Sequence, residues 1–194
     1  MSDFALFLGK FLRHGTKIAS LAPSSPWLSR ATVQNVDWPN ARVVVELGAG
    51  TGPITREIAA RAHPDCRVLA LERDPDFARL LRERFQAQPN MEIIEGDVRD
   101  LAAMLADRGI ARADYVISGL PVPSFPKDLQ RDLFRAVRAV LSSEGTYNQI
   151  TEIPWVYMGL YRKFFDEVRF SFEPRNFPPA GAYICRGPRP VEPA

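Results

Sequence analysis

The sequence predicts an α/β protein in which helices cover both faces of a seven-stranded, mostly parallel sheet. From residue 42 onward, short β-rich runs alternate with segments of helical apolar spacing. This alternation indicates parallel pairing, because two parallel strands need a crossover connection between them. The last two β-rich runs have no helix between them, so we expect an antiparallel hairpin that joins the sheet. A chain of 194 residues that is 46% hydrophobic can form one such domain with a sizeable core.

The predicted elements follow one another in a regular order. The candidate strands are residues 42–47, 67–72, 91–95, 114–119, 145–152, 168–173 and 181–186. The candidate helices are residues 53–63, 75–87, 99–108, 127–142 and 154–165. Pro154 suits the first turn of the last helix, where a proline loses no helical hydrogen bond. We expect an N-terminal segment over 1–35, the domain over 36–187 and a disordered tail over 188–194.

Composition and charge narrow the class of function. No apolar run reaches the ~18–20 residues of a membrane-spanning helix, and we expect no secretory signal. Cys66 and Cys185 form no metal-ligand spacing, so we expect reduced thiols, a cytoplasmic protein and no metal. The net charge is +2, and residues 1–35 hold four basic residues against the single acidic residue Asp3. The positive charge is therefore concentrated near the N-terminus, and a nucleic-acid surface across the whole body is not indicated.

The most informative motif is a predicted strand that runs into a glycine-rich turn and then a helix. Gly48, Gly50 and Gly52 allow a tight turn and bring bare backbone amides close to a ligand. A dinucleotide fingerprint would place its third glycine at Pro53, so the spacing favours a different ligand. Glu46, just before the first glycine, places an acidic group at the turn.

This combination resembles motif I of the class I S-adenosylmethionine-dependent methyltransferases, which have a Rossmann-like sheet with an antiparallel final strand. The resemblance implies that Glu46 and the glycine loop hold the methionine part of the cofactor. Glu72, at the end of the next strand, would accept hydrogen bonds from the ribose, and Asp97 would contact the adenine amino group. The predicted cofactor-binding residues are Glu46, Gly48, Ala49, Gly50, Thr51, Gly52, Glu72, Arg73, Asp97, Val98 and Ser118.

The segment after the fourth predicted strand should contact the methyl acceptor. Adenine-N6 methyltransferases have an Asn-(Leu/Pro)-Pro-(Tyr/Phe) sequence there, which holds the exocyclic amine and stacks on the base. The chain resembles the rRNA adenine dimethyltransferases over its cofactor half, but Gly119 stands in place of their Asn and Val122 in place of their aromatic. These changes argue against a nucleic-acid partner, and RNA adenine-N6 methylation is the alternative enzymatic function.

A second resemblance, to the bacterial phospholipid N-methyltransferases, covers nearly the whole chain. It is carried by Ser118-Gly119-Leu120-Pro121, by Pro23-Ser24-Ser25 and by Asn176-Phe177-Pro178-Pro179-Ala180. It implies transfer of methyl groups from S-adenosylmethionine to the amine of phosphatidylethanolamine and its mono- and dimethylated forms, towards phosphatidylcholine, with S-adenosylhomocysteine as the product. A third hypothesis is a catalytically silent cofactor-binding module that docks on membranes.

Methyl transfer to an amine requires a nitrogen lone pair. A primary ammonium with a pKa near ~10.4 must lose its proton, which costs roughly 4–5 kcal/mol at pH 7. An apolar pocket lowers that pKa, and a phenol or carboxylate could accept the proton. Tyr147 and Tyr183 lie on predicted strands that can reach the acceptor side, and a role as core residues is the equal alternative for each. The possible proton acceptors are Tyr147, Glu152, Tyr157, Tyr161 and Tyr183, and the catalytic candidates are Tyr147, Tyr183, Ser118 and Gly119.

The N-terminal segment has the spacing of an amphipathic helix, with five large apolar side chains on one face and basic residues on another. This pattern is typical of a helix that lies in a membrane interface. A helix that packs its apolar stripe on the domain, as a lid over the active site, has the same pattern. We expect a monomer bound peripherally and reversibly to the anionic inner face of the membrane. The predicted lipid-binding residues are Phe4, Phe7, Leu8, Lys10, Phe11, Arg13 and Lys17.

Overall fold

The computed structural model describes residues 25–191, and it confirms the predicted α/β fold. One seven-stranded sheet has the order β3-β2-β1-β4-β5-β7-β6. The strands are β1 (Val43–Leu47), β2 (Arg67–Glu72), β3 (Met91–Glu95), β4 (Ala113–Ser118), β5 (Leu141–Thr151), β6 (Phe165–Glu173) and β7 (Ala180–Pro188). The helices are α1 (Pro26–Val33), α2 (Pro53–Ala59), α3 (Pro75–Phe85), α4 (Leu101–Ala106), α5 (Lys127–Val140) and α6 (Met158–Tyr161).

Strand direction brings most of the candidate residues to one end of the sheet. Strands β1 to β5 pair in parallel with their neighbours. Because β7 runs antiparallel to both β5 and β6, β6 also ends where β5 ends. We call this end of the sheet the carboxyl end. It comprises the segments that follow Leu47, Glu72, Glu95, Ser118, Thr151 and Glu173.

The central strands bury both of their faces, as a sheet covered by helices requires. On one face, Val44 packs with Ile54 and Ile58 beneath α1 and α2. On the other face, Val45 belongs to the larger core cluster, which includes Leu133 of α5. Alternate residues of β1 therefore belong to different layers, which places Glu46 on the same face as Val44.

Helix α1 is an element that sequence reasoning missed. It begins at Ser25, whose hydroxyl oxygen accepts a hydrogen bond from the backbone N–H of Leu28 at 3.2 Å. The side chain of Asn148 in β5 donates to the carbonyl oxygen of Thr32 at 2.9 Å and fixes the helix on the sheet. This part of the segment 1–35 thus packs on the domain, while residues 1–24 lie outside the described range. The boundary at residue 36 stays a prediction.

The predicted helix over 154–165 is wrong over most of its length. Only Met158–Tyr161 is helical, because Trp155 has φ +61°, a left-handed conformation that a bulky side chain rarely adopts and that breaks the helix. The first residues of the predicted tail are attached to the domain, since Arg189 donates to Asp166 at 2.7 Å. Within residues 25–191, no helix has the length and apolar character needed to cross a bilayer.

Candidate active site

The glycine loop after β1 is tight at one position and open at another. Gly48, Gly50 and Gly52 all have positive φ, which a residue with a side chain adopts only with strain. A Cβ at Gly48 would lie 2.5 Å from the side chain of Leu120. Among the described residues, no atom lies within 4 Å of a Cβ placed at Gly50. The loop therefore leaves free space beside Gly50, where a ligand can approach the backbone.

The remaining loop residues join this turn to its neighbours. The amide of Ala49 donates to the carbonyl oxygen of Leu71 in β2 at 3.3 Å, so the loop is tied to the next strand. Thr51 is exposed, and its carbonyl oxygen accepts a hydrogen bond from Arg84 of α3. These contacts hold the loop from both sides and leave its open part facing the carboxyl end.

Glu72 is bound directly to the glycine loop. One carboxylate oxygen accepts a hydrogen bond from the amide of Gly50 at 2.7 Å. The other accepts from the amides of Arg73 at 2.8 Å and Asp74 at 2.9 Å. An ionised carboxylate has about four acceptor sites, so Glu72 keeps capacity for a hydroxyl donor while it holds the loop.

Glu46 is a fully buried carboxyl group without a hydrogen-bond partner among residues 25–191. Burial raises the pKa of Glu46 to about 8, and the negative charge of Glu72 adds to this effect. Thr55 lies close enough to Glu46 to lower this pKa in part, although the Thr55 hydroxyl and the Glu46 carboxyl group do not form a well-oriented hydrogen bond. A buried acid with both oxygens unpaired is costly. The site therefore suits a ligand that brings a cationic donor to Glu46.

Asp97 follows β3 at the same end of the sheet and is held by Arg99. The Arg99 guanidinium donates to Asp97 at 3.0 and 2.8 Å, and its backbone amide donates at 3.0 Å. Arg73 approaches the same carboxylate at 3.9 Å. Burial alone would raise the pKa of Asp97, but the bonds from Arg99 outweigh it and hold that pKa below its usual range. Val98, next in the chain, is buried in the larger core cluster.

The loop after β4 packs directly on the glycine loop. The amide of Gly119 donates to the carbonyl oxygen of Leu47 at 2.9 Å. A Cβ at Gly119 would lie 2.8 Å from the carbonyl oxygen of Gly48, so this close approach requires glycine. Ser118 is fully buried, and its hydroxyl oxygen accepts from the amide of Leu120 at 3.3 Å. The predicted acceptor segment and the predicted cofactor loop are thus in direct contact.

Comparison with known proteins identifies the kind of site that this geometry belongs to. A family model described as a methyltransferase domain matches residues 44–145. The chain is 73% identical over 187 residues to the ornithine lipid N-methyltransferase of Singulisphaera acidiphila, over 96% of this chain and 97% of that protein. The chain belongs to the S-adenosylmethionine-dependent methyltransferases.

More distant relatives share parts of this methyltransferase or only its fold. The probable ribosomal RNA small subunit methyltransferase A of Methanosarcina mazei is 39% identical over 75 residues, which is 39% of this chain and 27% of that protein. The crystal structure of TrmN from Thermus thermophilus superposes with a TM-score of 0.65 at 22% identity, over 87% of this chain and 51% of that one. A precorrin-6y C5,15-methyltransferase from Geobacter metallireducens superposes with a TM-score of 0.61 at 17% identity, over 82% and 87%. The two structures show the shared fold alone.

The described residues fit S-adenosylmethionine, the cofactor of the family. The unpaired oxygens of Glu46 suit its ammonium group, the space beside Gly50 suits a close backbone approach, and Glu72 can accept from hydroxyl groups. When bound, S-adenosylmethionine supplies an electrophilic methyl group on a positively charged sulfur. Among residues 25–191, no group of three or more His, Cys, Asp or Glu side chains could hold a metal ion.

The structure places Tyr147 and Tyr183 in the core of the methyltransferase. Both rings are fully buried, and Tyr147 stacks on Phe165 with centroids 5.4 Å apart. Burial raises the pKa of both phenols above the usual range. The Tyr183 hydroxyl accepts a hydrogen bond from the amide of Tyr157 at 3.0 Å. Since a general base needs a pKa near the working pH, this geometry does not support either phenol as the proton acceptor.

Gln149 is a polar residue of this site that sequence reasoning missed. Its side-chain nitrogen lies 2.8 Å from the carbonyl oxygen of Leu120 and 3.3 Å from that of Ser118. Its side-chain oxygen accepts a hydrogen bond from the Tyr147 hydroxyl at 2.5 Å. Tyr147 therefore orients Gln149, and Gln149 fixes the loop after β4, which is the predicted acceptor segment. The signal in the sequence was a glutamine at a buried position of a central strand, which requires partners.

The predicted lipid-binding residues, Phe4 to Lys17, lie outside the described residues. Glu152, another possible proton acceptor, directly follows β5 at the carboxyl end and is partly exposed. The individual roles of all these residues stay predictions.

Proposed function

We propose that this methyltransferase transfers methyl groups from S-adenosylmethionine to the free amine of ornithine lipid. The observation that carries the proposal is the 73% identity to an ornithine lipid N-methyltransferase over nearly the full length of both chains. The region aligned with that relative includes the acceptor side of the sheet as well as the cofactor half.

The acceptor loop supports an aliphatic amine over a nucleobase. Gly119 provides no side-chain amide to hold an exocyclic amine, and Val122 is fully buried. No aromatic ring can therefore stack on a base from that position, as a base-modifying enzyme requires. The ribosomal RNA methyltransferase relative of Methanosarcina mazei is 39% identical over 39% of this chain, whereas the lipid enzyme is 73% identical over 96% of it.

The acceptor in this proposal differs from the phosphatidylethanolamine expected from the sequence resemblance. Both lipids present a primary amine on a flexible arm, and the chemistry at the nitrogen is the same. The phospholipid prediction depended on short motifs such as Ser118-Gly119-Leu120-Pro121. The near-full-length relative is named for ornithine lipid, and this is why we prefer that substrate.

The chain contributes to the reaction mainly by positioning the acceptor. Gln149 holds the carbonyl groups of Ser118 and Leu120, so the loop beside the amine is rigid. Fixed geometry of this kind can supply a large part of a rate enhancement. The ornithine side-chain amine resembles that of lysine, with a pKa near ~10.4, so its deprotonation costs roughly 4–5 kcal/mol at pH 7. An apolar environment around the bound amine would lower that cost, because it disfavours the charged form.

We further propose that the enzyme acts as a peripheral protein on the anionic inner membrane surface. An acceptor with acyl chains resides in a bilayer, and the amphipathic pattern of residues 4–17 suits an interface. Replacement of Lys10 and Arg13 by glutamate should reduce sedimentation with anionic vesicles, because each cation near such a surface contributes about 1 kcal/mol. Equal sedimentation of the double variant would contradict the role of this segment.

The proposed function is tested with full-length protein, methyl-labelled S-adenosylmethionine and three separate acceptors. The acceptors are vesicles containing ornithine lipid, vesicles containing phosphatidylethanolamine, and ribosomal RNA. We expect label in ornithine lipid, and mass spectrometry of the product gives the number of methyl groups. Label only in phosphatidylethanolamine would restore the phospholipid prediction, and label only in RNA would refute a lipid substrate. Cofactor binding without any transfer would favour the silent module.

A further inference from the structure

The strongly exposed large hydrophobic side chains of residues 25–191 all lie at the carboxyl end of the sheet. We call these six side chains the aromatic rim. Phe177 is 97% exposed, Trp155 57% and Phe172 45%. The rim consists of Trp27, Ile153, Trp155, Val156, Phe172 and Phe177. Exposed apolar side chains gathered in one region mark an interaction surface more often than scattered ones do.

The fold explains why these residues meet. Residues 153–156 directly follow β5, Phe172 is the penultimate residue of β6, and Phe177 lies in the turn between β6 and β7. Trp27, at the start of α1, holds the guanidinium of Arg175 against its ring at 4.3 Å. The rim therefore belongs to the end of the sheet that also carries the glycine loop and the acceptor loop.

The exposed rings are held in place by the structure. Trp155 has φ +61°, a strained conformation, and its ring stacks on Phe172 with centroids 5.2 Å apart. The same ring lies 5.2 Å from Phe170, which is itself partly buried. Arg175 is clamped by Glu173 at 2.7 Å from both carboxylate oxygens. Arg175 is thus fixed between Glu173 and the ring of Trp27, and Trp155 is fixed against Phe172.

We propose that the aromatic rim inserts into the lipid monolayer and places the active site at the headgroup level. This inference rests on the proposed function, because an acyl-chain-bearing acceptor must keep its tails in an apolar environment while its amine reaches the site. Tryptophan favours the membrane interface, where its ring meets both apolar chains and polar headgroups.

Charge in the sequence that precedes Ser25 supports a lipid surface as the occupant. The described residues begin at Ser25, whose hydroxyl donates to Asn176 at 2.5 Å beside Phe177. In the sequence, the preceding residues 1–24 hold three basic residues and one acidic residue. The sequence that leads into the rim is therefore net positive, which complements the anionic lipids of a membrane.

The first experiment measures insertion directly. Vesicles of ornithine lipid and an anionic phospholipid are prepared with brominated acyl chains, which quench tryptophan fluorescence on contact. We expect quenching of the full-length protein, and we expect most of it to disappear in Trp155→Phe, because Trp155 is the most exposed tryptophan of the rim. Undiminished quenching in Trp155→Phe, or none in the unmodified protein, would overturn the proposal.

The second experiment separates the rim from the chemistry. The double variant Trp155→Ser with Phe177→Ser is compared with Ala103→Ser, an exposed position of α4. We expect at least tenfold lower activity of the double variant on vesicles, activity within about twofold on a short-chain, monomeric ornithine lipid, and no change in Ala103→Ser.

The outcomes keep the two proposals apart. A wild-type protein that inserts into vesicles but does not methylate short-chain ornithine lipid would refute the proposed function and leave the rim supported. Full vesicle activity of the double variant would refute the rim. If the double variant instead changes its oligomeric state and binds vesicles normally, the rim contacts a second copy of the chain and the proposal is wrong.

Discussion

The buried carboxyl group of Glu46 allows the sharpest prediction, because its two protonation states affect stability and cofactor binding in opposite directions. The substitution Glu46→Gln keeps the size of the side chain and removes its ionisation. Burial raises the pKa of Glu46 from 4.5 to about 8 in the folded protein. The stability that depends on the protonated form is fully present below pH 4.5 and is lost as the pH rises through 8.

The magnitude follows from the size of this pKa change. Each pH unit between the unfolded and folded values lowers the free energy of unfolding by about 1.4 kcal/mol. Between pH 6 and pH 8 the wild-type protein should therefore lose roughly 2 kcal/mol through Glu46, because the loss levels off near the folded pKa. Glu46→Gln lacks this loss, so the variant should gain stability relative to the wild type as the pH increases.

Urea unfolding of the protein without cofactor, at pH 6, 7 and 8, measures this difference. Glu144→Gln is a suitable control, because Glu144 is an exposed carboxylate near the start of β5, at the opposite end of the sheet. We expect the control to follow the wild type. A difference between Glu46→Gln and wild type that does not change with pH would refute the account of this buried acid.

Cofactor binding should depend on the opposite protonation state of Glu46, the ionised form. The ammonium group of S-adenosylmethionine favours the ionised form of Glu46, so binding near pH 7 should release a proton. Calorimetry in buffers of different ionisation enthalpy measures that proton. Glu46→Gln should release about one proton less and should bind at least tenfold more weakly, since a hydrogen bond to a charged group contributes ~1.5–3 kcal/mol. Equal proton release in both proteins would place the cofactor away from Glu46.

Three further substitutions test the loop beside the acceptor. Gln149→Leu leaves buried carbonyl groups of the loop without a hydrogen-bond donor, which costs ~1–3 kcal/mol. We expect turnover in the methyl-transfer assay to fall at least tenfold, while the calorimetric affinity for S-adenosylmethionine changes less than threefold. A preserved turnover would contradict the positioning role. Tyr147→Phe removes one hydrogen bond to Gln149, which contributes ~1 kcal/mol, so turnover should fall less than tenfold. A loss above a hundredfold would instead support this phenol as the proton acceptor. Gly119→Ala places a Cβ 2.8 Å from the carbonyl oxygen of Gly48, so both thermal stability and cofactor affinity should decrease, and unchanged values would show that the two loops can separate freely.

Much of the fold was predictable because its determinants are local or topological. Strand and helix periods alternate along the chain, and parallel pairing then brings the ends of β1, β2 and β3 together. Glu46, Glu72 and Asp97 could be assigned to one end of the sheet from their positions after predicted strands alone. Their partners were not predictable, because the bond from Gly50 to Glu72 and the isolation of Glu46 depend on the packing of the loop.

The wrong prediction and the features that were not predicted also have physical causes. The helix expected over 154–165 had suitable apolar spacing, but tertiary packing of Trp155 on Phe172 outweighs local propensity there. Helix α1 could have been found, since Ser25 followed by Pro26 is a helix-start signal. Gln149 could not be paired with the acceptor loop from sequence, because that contact depends on the register of β5 against β4.

A crystal structure with S-adenosylhomocysteine and a short-chain ornithine lipid would test the central claim most directly, which is that cofactor and lipid amine meet at the carboxyl end of this sheet. The account predicts the amino acid part of the cofactor product against Glu46, its ribose at Glu72, and the lipid amine beside the loop that Gln149 holds. A ligand bound elsewhere, or a lipid amine far from residues 118–121, would contradict it.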